Sequence, residues 1–593
     1  MLHQAYGQLL LAAAAGLAAH GCYFVRGEHD LAAARIARLH LAAAALVAGL
    51  KWQCQGLALR HALAAAVALA AAYAAALFAS ILVFRLFLSP LRRMPGPLRL
   101  RCTKLTHMWD MACRRNCELL HELHREYGDV VRTGPNEVAV FGLDAYRQIH
   151  GPESRCGRAA YYDIVHPMVS LDTTRDDSVH AHRRKLWDQA FSIKSLEQAE
   201  PIIASCAGEL AKQLRQREGQ PLDMSVWLEH YTFDVMGLFG LTIDFRNLAD
   251  GEHPLLALFH MAHRLLGPLA AVPWLKHLLM GIPFVERMKY YREFFTWADL
   301  ELHKNIGQNQ HERRNIIGYV LADAERNGGI EANWNFVLGD FVLVIIAGSD
   351  PVRQVLVNML FYLTQHPEHL HLLRQELASP GGRTQHRLLQ GLPHLNAVVY
   401  ETLRLNPAVP SAGLRLPPRG GVAVNGVWIP ENTTIVTPQY SLMRDERYFD
   451  RPEEWIPERF TTRPELILNK DAFVPWSIGR RSCIGKNLSL MEIRVAAALL
   501  LTEFDFEFAP GEDGTDMFAR ATDYFTTTPG PLRLIPRIRK RPESEQDRGE
   551  DLTAKVPACT TTLHVEKQEK GFEDELQPEE QELKKVSNVM SDF

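Results

Sequence analysis

The chain has 593 residues, 47% hydrophobic and 23% charged, with a formal net charge of −4 at pH 7. That length holds one large domain with appendages. The 65 basic residues do not outnumber the 69 acidic ones, so the balance gives no electrostatic footprint for nucleic acid. The nine cysteines show no CxxC pair and no regular spacing, which argues against a disulfide framework or a zinc site. They fit a reducing, cytosol-facing compartment, and their odd number leaves room for one functional thiolate.

Residues 1–93 are expected to form a membrane anchor of up to three transmembrane helices. Alanine and leucine dominate there and acids are nearly absent. Apolar segments at residues 4–25, 31–50 and 61–84 each approach the ~20 residues that a spanning helix needs. The third runs from Ala62 to Phe84 without a charge, whereas Arg35 and Arg38 interrupt the second. A cleaved signal peptide is the competing reading of the first, but residues 1–8 lack a basic leader. Arg26, Arg35 and Arg38 flank the first connection, and Arg85, Arg92, Arg93 and Arg99 follow the third segment. By the positive-inside rule both groups are cytosolic if the N-terminus is luminal and all three segments cross.

Met94-Pro95-Gly96-Pro97 is a stiff punctuation that opens the body, residues 94–536. Amphipathic stretches at 234–241, 335–363 and 488–501 predict a mainly α body, and alternating runs at 130–140 and 422–429 predict small β-sheets. Residues 537–593 are charged and poor in aromatics, which predicts a solvated, disordered tail with one transient helix near 573–585.

The most informative segment is Phe473-Val-Pro-Trp-Ser-Ile-Gly-Arg-Arg-Ser-Cys-Ile-Gly-Lys486. It resembles the haem-binding loop of the cytochrome P450 superfamily, F-x-x-G-x-R-x-C-x-G, through Trp476, Gly479, Arg481, Cys483 and Gly485. Trp476 replaces phenylalanine with another aromatic. The spacing suits the chemistry of a thiolate ligand. Cys483 falls just before an apolar helical pattern, so exposed N–H groups at the helix start can stabilise the sulfur charge. Gly479 and Gly485 are expected to let the backbone turn and donate to the sulfur without interference from a Cβ. Arg481 is placed to pair with a haem propionate.

Further segments carry the same resemblance in the same order. Glu401 and Arg404 match the family's E-x-x-R, and Trp455-Ile-Pro-Glu-Arg459-Phe resembles its P-E-R-F element. The resemblance implies that Glu401, Arg404 and Arg459 form an ion network under the ligand loop. His180 and Arg184, i and i+4 on one helix face, stand where that family holds the propionates, and Arg415 is a further candidate. A basic surface helix facing an acidic reductase is the other reading of that pair. Ala347-Gly-Ser349-Asp350-Pro351-Val352 aligns with A-G-x-[DE]-T-T, keeping the acid but replacing both threonines. Proline cannot donate an N–H to the carbonyl of Ala347, so a kink is expected there. Proton delivery would then rest on Asp350, Ser349, water or a substrate hydroxyl.

The resemblance implies a cytochrome P450 fold preceded by transmembrane helices, with haem b (iron protoporphyrin IX) held by Cys483 as axial iron ligand. It further implies a monooxygenase acting on a lipophilic small molecule. Its electrons would come from NADPH-cytochrome P450 reductase, at the endoplasmic reticulum membrane and in contact with membrane lipid. Pocket walls are expected from residues 161–171, 341–350 and 408–414, and the apolar stretch 265–284 is expected either to dip into the membrane or to pack in the core. Within the superfamily, Arg132-Thr-Gly-Pro-Asn136 and Thr173-Thr-Arg-Asp176 look fungal and microsomal. With its leader, the chain is similar to tryprostatin B 6-hydroxylase-like enzymes, which points to secondary metabolism. Two other classes stay open: a haem-thiolate isomerase or dehydratase that uses no oxygen, and a non-catalytic membrane scaffold.

Overall fold

The computed structural model describes residues 2–282, 285, 288–306, 315–378, 385–411 and 413–540. The three apolar segments are helices: α1 (Leu2–Ala19), α2 (Ala33–Gln53) and α3 (Leu59–Val83), the first and third each prolonged by one wider turn, His20–Phe24 and Phe84–Leu88. The three stretches long and apolar enough to span a bilayer run 22, 24 and 30 residues, and only 6–11% of each apolar window is buried. Leucines and phenylalanines such as Leu11, Leu41 and Phe78 point outward, as expected where the solvent is lipid. A fourth helix passes the same length and composition test, but 61% of its window is buried. It is the central helix of the body.

That helix, Trp334–Gln365, is continuous through Pro351. The kink expected at Pro351 would therefore fall within an unbroken helix, where the carbonyl of Ala347 lacks its usual i+4 donor. Around it pack Met224–Met236, Pro393–Leu405 and Lys486–Glu503, which share one large hydrophobic core with it. The stretch read as a helix at 234–241 is the end of Met224–Met236 followed by a wider turn, Gly237–Leu241.

Both alternating runs turn back on themselves. Val130–Gly134 pairs antiparallel with Glu137–Val140, and Val422–Val424 with Val427–Ile429 through an Asn425-Gly426 turn at φ 50° and 72°. A five-stranded sheet runs in the order Val130–Gly134, Glu137–Val140, Thr434–Val436, Arg415–Leu416, Gly157–Arg158. Its last pair places Arg158 directly opposite Arg415. The stretch expected at 265–284, of which 283 and 284 lie outside the described residues, divides into the end of Pro254–Leu269 and a short helix, Pro273–Met280; Leu269 and Val272 join a small core, while Trp274 and Ile282 stay exposed. The last strand, Arg533–Ile538, runs two residues beyond 536, where the body was expected to end. Residues 541–593, with the short helix expected near 573–585, lie outside the described residues.

Candidate functional site

The scaffold under the cysteine loop is an ion network with no solvent exposure. Arg404 grips Glu401 through two hydrogen bonds of 2.8 Å, and Arg459 Nε donates to Glu401 Oε1 at 3.1 Å. The remaining guanidinium N–H groups of Arg404 donate to the carbonyls of Met443, Pro452 and Glu454. Those of Arg459 reach the carbonyls of Asp450, Arg451 and Leu466. Buried charge is tolerated here because the polar atoms are so fully engaged. Its product is geometric: the Pro457–Phe460 turn is fixed against the Pro393–Leu405 helix, and Phe460 packs on Phe473 at the start of the cysteine loop.

The loop itself closes by a bond from Cys483 N–H to the Trp476 carbonyl at 2.9 Å. Trp476 stands edge-on to Phe473 and carries the Lys486 ammonium 5.0 Å over its ring, so the aromatic expected at this position does pack within the loop. Gly479 adopts φ +74°, and a Cβ there would fall 2.2 Å from the His150 carbonyl oxygen; only glycine fits. Gly485 departs from expectation. Its φ is −78°, open to any residue, and a Cβ would meet Cys483 Sγ at an ordinary 3.8 Å. Its side chain is missing over the sulfur, not for the sake of the turn.

Cys483 is exposed, although the chain surrounds it closely enough that burial pushes its pKa up. Both hold for a side chain that solvent reaches while many neighbouring atoms crowd round it. The opposing influences are hydrogen bonds from the N–H groups of Gly485 and Lys486, at the start of the Lys486–Glu503 helix, and the Arg184 guanidinium. Arg184 does not stand free: its Nη1 donates to the Ser482 carbonyl at 2.7 Å and its Nε to Asp188 at 3.0 Å.

Beside the cysteine lies a wall of cations. Arg481 donates to the Thr174 carbonyl (3.1 Å) and to Asp177 (2.8 Å), yet its Nε is buried without a partner. Arg158, which the sequence reading did not single out, donates to Asp172 at 2.5 Å and also leaves Nε unpartnered. Arg415 leans on His150 Nδ1 at 3.3 Å, and that imidazole, neutral through burial, bonds Thr437 through its other nitrogen at 2.6 Å. Burial and the neighbouring Arg158 push Arg415 down to about 10. Burial and then Arg481, Arg158 and Arg184 push His180 down to about 4. Arg158 is instead raised by Asp172, but three buried guanidinium groups with two unpartnered Nε atoms still leave room for a further anion. Haem b carries two carboxylates at its edge and an iron at its centre, so an anion site beside an exposed cysteine sulfur fits that group.

In the central helix, Ala347 is the one exposed position between Val337 and Thr364. Leu343 and Pro351, four residues either side, are half-buried and share its face. The helical period therefore turns Ala347 and Pro351 toward open space and Ser349 away from it. Ser349 Oγ is fully buried and donates to the Thr232 carbonyl at 3.3 Å. Asp350 is buried 3.2 Å from Arg353, which also pairs with Glu229; Glu229 in turn accepts from His260 at 2.8 Å. Of the groups expected to serve proton delivery, the Ser349 hydroxyl is committed to the backbone, while Asp350 stands next to Arg353 with neither carboxylate oxygen hydrogen-bonded among the described residues. Arg353 holds Glu229 well below the usual carboxylate range, and Glu229 raises His260.

The family model described as Cytochrome P450 matches residues 95–536. The chain is 34% identical to a cytochrome P450 monooxygenase, FCK2, of Fusarium pseudograminearum, over 88% of this chain and 96% of that one. It is also 34% identical to tryprostatin B 6-hydroxylase of Aspergillus fumigatus, over 88% and 94%. A third relative, the monooxygenase notG' of Aspergillus versicolor, is 33% identical over 87% and 95%.

Proposed function

The chain belongs to the cytochrome P450 family and is a haem-thiolate monooxygenase, and we propose that it works from the endoplasmic reticulum membrane with its body, residues 94–536, on the cytosolic face. Residues 1–93 would be the anchor and residues 537–593 a tail outside the catalytic unit. P450 monooxygenases draw electrons from a redox partner and act on lipophilic substrates; here the partner we propose is NADPH-cytochrome P450 reductase. The substrate we propose is a lipophilic secondary metabolite reached from the lipid, in line with the tryprostatin B 6-hydroxylase likeness.

One observation carries the assignment of the site: an exposed cysteine sulfur receiving two backbone N–H groups beside three buried guanidinium groups, Arg158, Arg415 and Arg481, of which Arg158 and Arg481 leave Nε unpartnered. Haem b, when bound there, supplies the oxygen-activating chemistry. Cys483 would ligate its iron, with the N–H groups of Gly485 and Lys486 and the Arg184 guanidinium stabilising the sulfur charge. Arg481, Arg415, Arg158 and His180 would hold the propionates. Gly479 and Trp476 set the loop, and Gly485 leaves the space over the sulfur clear. Ala347 and Pro351 present an apolar surface to the substrate. Asp350 would deliver protons through water, because Ser349 is turned away and Pro351 and Val352 bring no hydroxyl.

The test is the carbon monoxide difference spectrum of the reduced protein, which should show a thiolate-type Soret band that Cys483→Ala abolishes. An unchanged band in that variant overturns the ligand assignment. Product formation that needs both NADPH and oxygen separates monooxygenation from isomerisation, and absence of haem uptake would leave only the scaffold reading.

A further inference from the structure

The first ninety residues contain two carboxylates, Glu28 and Asp30, both in the connection between α1 and α2. Each bonds the catalytic body. Glu28 accepts from Arg175 through both oxygens, at 2.8 and 3.0 Å. Asp30 Oδ1 accepts the N–H of Trp274 at 3.1 Å, in the first turn of Pro273–Met280, whose own preceding residue supplies no side-chain cap. Asp30 thus caps a helix distant in sequence, satisfying an N–H that the helix cannot. Packing continues the contact: a Cβ on Gly281 would come within 2.9 Å of Ala34 Cβ at the start of α2.

The body residues engaged are not peripheral to the site. Arg175 also donates to Asp163 at 2.6 Å and to the Arg158 carbonyl at 3.3 Å, so it joins the connection to the strand that carries the cationic wall. The Asp163 carbonyl is 3.1 Å from His277 Nε2 on Pro273–Met280. Asp163 belongs to the turn Ala160–Val165, where Tyr162 lies 3.9 Å under the Arg158 guanidinium and Tyr161 stacks on Phe525. Carboxylates beside a cytosolic leaflet are repelled by its anionic lipid. Here their charges are answered by Arg175 and by a helix N-terminus instead.

We propose that residues 25–32 are a latch that docks the membrane helices α1 and α2 onto the catalytic body, holding Ala160–Val165 and Pro273–Met280 together as the membrane-side rim of the substrate site. The connection and the body then lie on one face of the bilayer, which requires α2 and α3 to cross as a return pair. This rests on the membrane orientation proposed above. Ion pairs at this exposure are individually weak, so the latch depends on Glu28 and Asp30 acting together.

The experiment uses the full haem-loaded chain. In sealed microsomes, an impermeant maleimide read peptide by peptide should leave Cys54, exposed in the α2–α3 connection, unlabelled until detergent is added. Labelling of Cys54 without detergent overturns the orientation and the latch with it. In nanodiscs, Glu28→Gln with Asp30→Asn should raise backbone hydrogen exchange several-fold in both 160–165 and 273–280, while the carbon monoxide spectrum stays intact. Protected Cys54 with exchange unchanged in those two segments overturns the latch alone. Exchange that rises throughout the body, rather than in the two segments, also overturns it.

Discussion

Arg158 and Arg415 face each other as direct partners on antiparallel strands, both buried, with the Arg158 Nε left without a partner. Like charges in directly opposed positions destabilise a sheet pair. Asp172 answers Arg158 in part, and a further anion set against the pair would relieve the rest. Replacing Arg415 by leucine should therefore weaken the hold on a propionate while relieving the empty wall. A charge-assisted hydrogen bond is worth about 1.5–3 kcal/mol, so haem loss to an acceptor protein should quicken on the order of ten- to a hundredfold. The urea midpoint of the haem-free protein should stay level or rise.

Acid should weaken the haem-free fold through histidines that are neutral because they are buried. His107, His180 and His230 are each pushed down to about 4 from 6.5 by burial. The unfolded chain then binds more protons than the folded one between those values. Stability is complete above pH 6.5 and falls as pH drops toward 4. Urea midpoints measured between pH 7 and 4.5 should follow that slope, and His180→Gln should flatten part of it.

Glu401→Gln should be among the most damaging single changes. It leaves two fully buried guanidinium groups, those of Arg404 and Arg459, without their shared anion. Breaking a buried pair in this way costs about 3–5 kcal/mol. The expected result is a fall of that size in unfolding free energy, with the spectrum of surviving holoprotein unchanged because Glu401 scaffolds the loop and does not touch the iron.

The two loop glycines should separate cleanly. Gly479→Ala forces a side chain into a left-handed backbone and against the His150 carbonyl, a conformational cost of about 1–2 kcal/mol before the clash is counted. It should lower both stability and haem content. Gly485→Ala meets nothing closer than 3.8 Å in the protein and should leave the haem-free melting point unchanged; its effect should appear only in the haem-bound spectrum.

Pro351→Thr restores a hydroxyl and a backbone N–H beside the open face. Peroxide released per NADPH oxidised should fall if proton delivery next to Asp350 is limiting. An unchanged ratio would show that the ion chain through Arg353, Glu229 and His260 already meets that need.

What could be read in advance was local. The cysteine loop, the Glu401–Arg404 pair and the three apolar helices all depend on spacings of a few residues or on a run of one polarity, and a helix or a tight turn expresses such spacings directly. Arg459 was legible too, because a short motif surrounds it. Ser349 shows the limit: its position beside Asp350 suggested a shared role, but a 100° turn per residue sends neighbours to different faces, and only the packing of the central helix decides which face is open.

The sequence by itself therefore determined the cytochrome P450 family, the run of apolar helices that precedes the body, and which cysteine is the candidate ligand. Tertiary structure decided the rest: that Arg158 opposes Arg415, that Arg184 braces the loop through the Ser482 carbonyl, and that Glu28 reaches Arg175. These pairs join segments far apart in the chain. No local period encodes them, because charge pairing across such distances is selected only when strand register and helix docking have already brought the partners together.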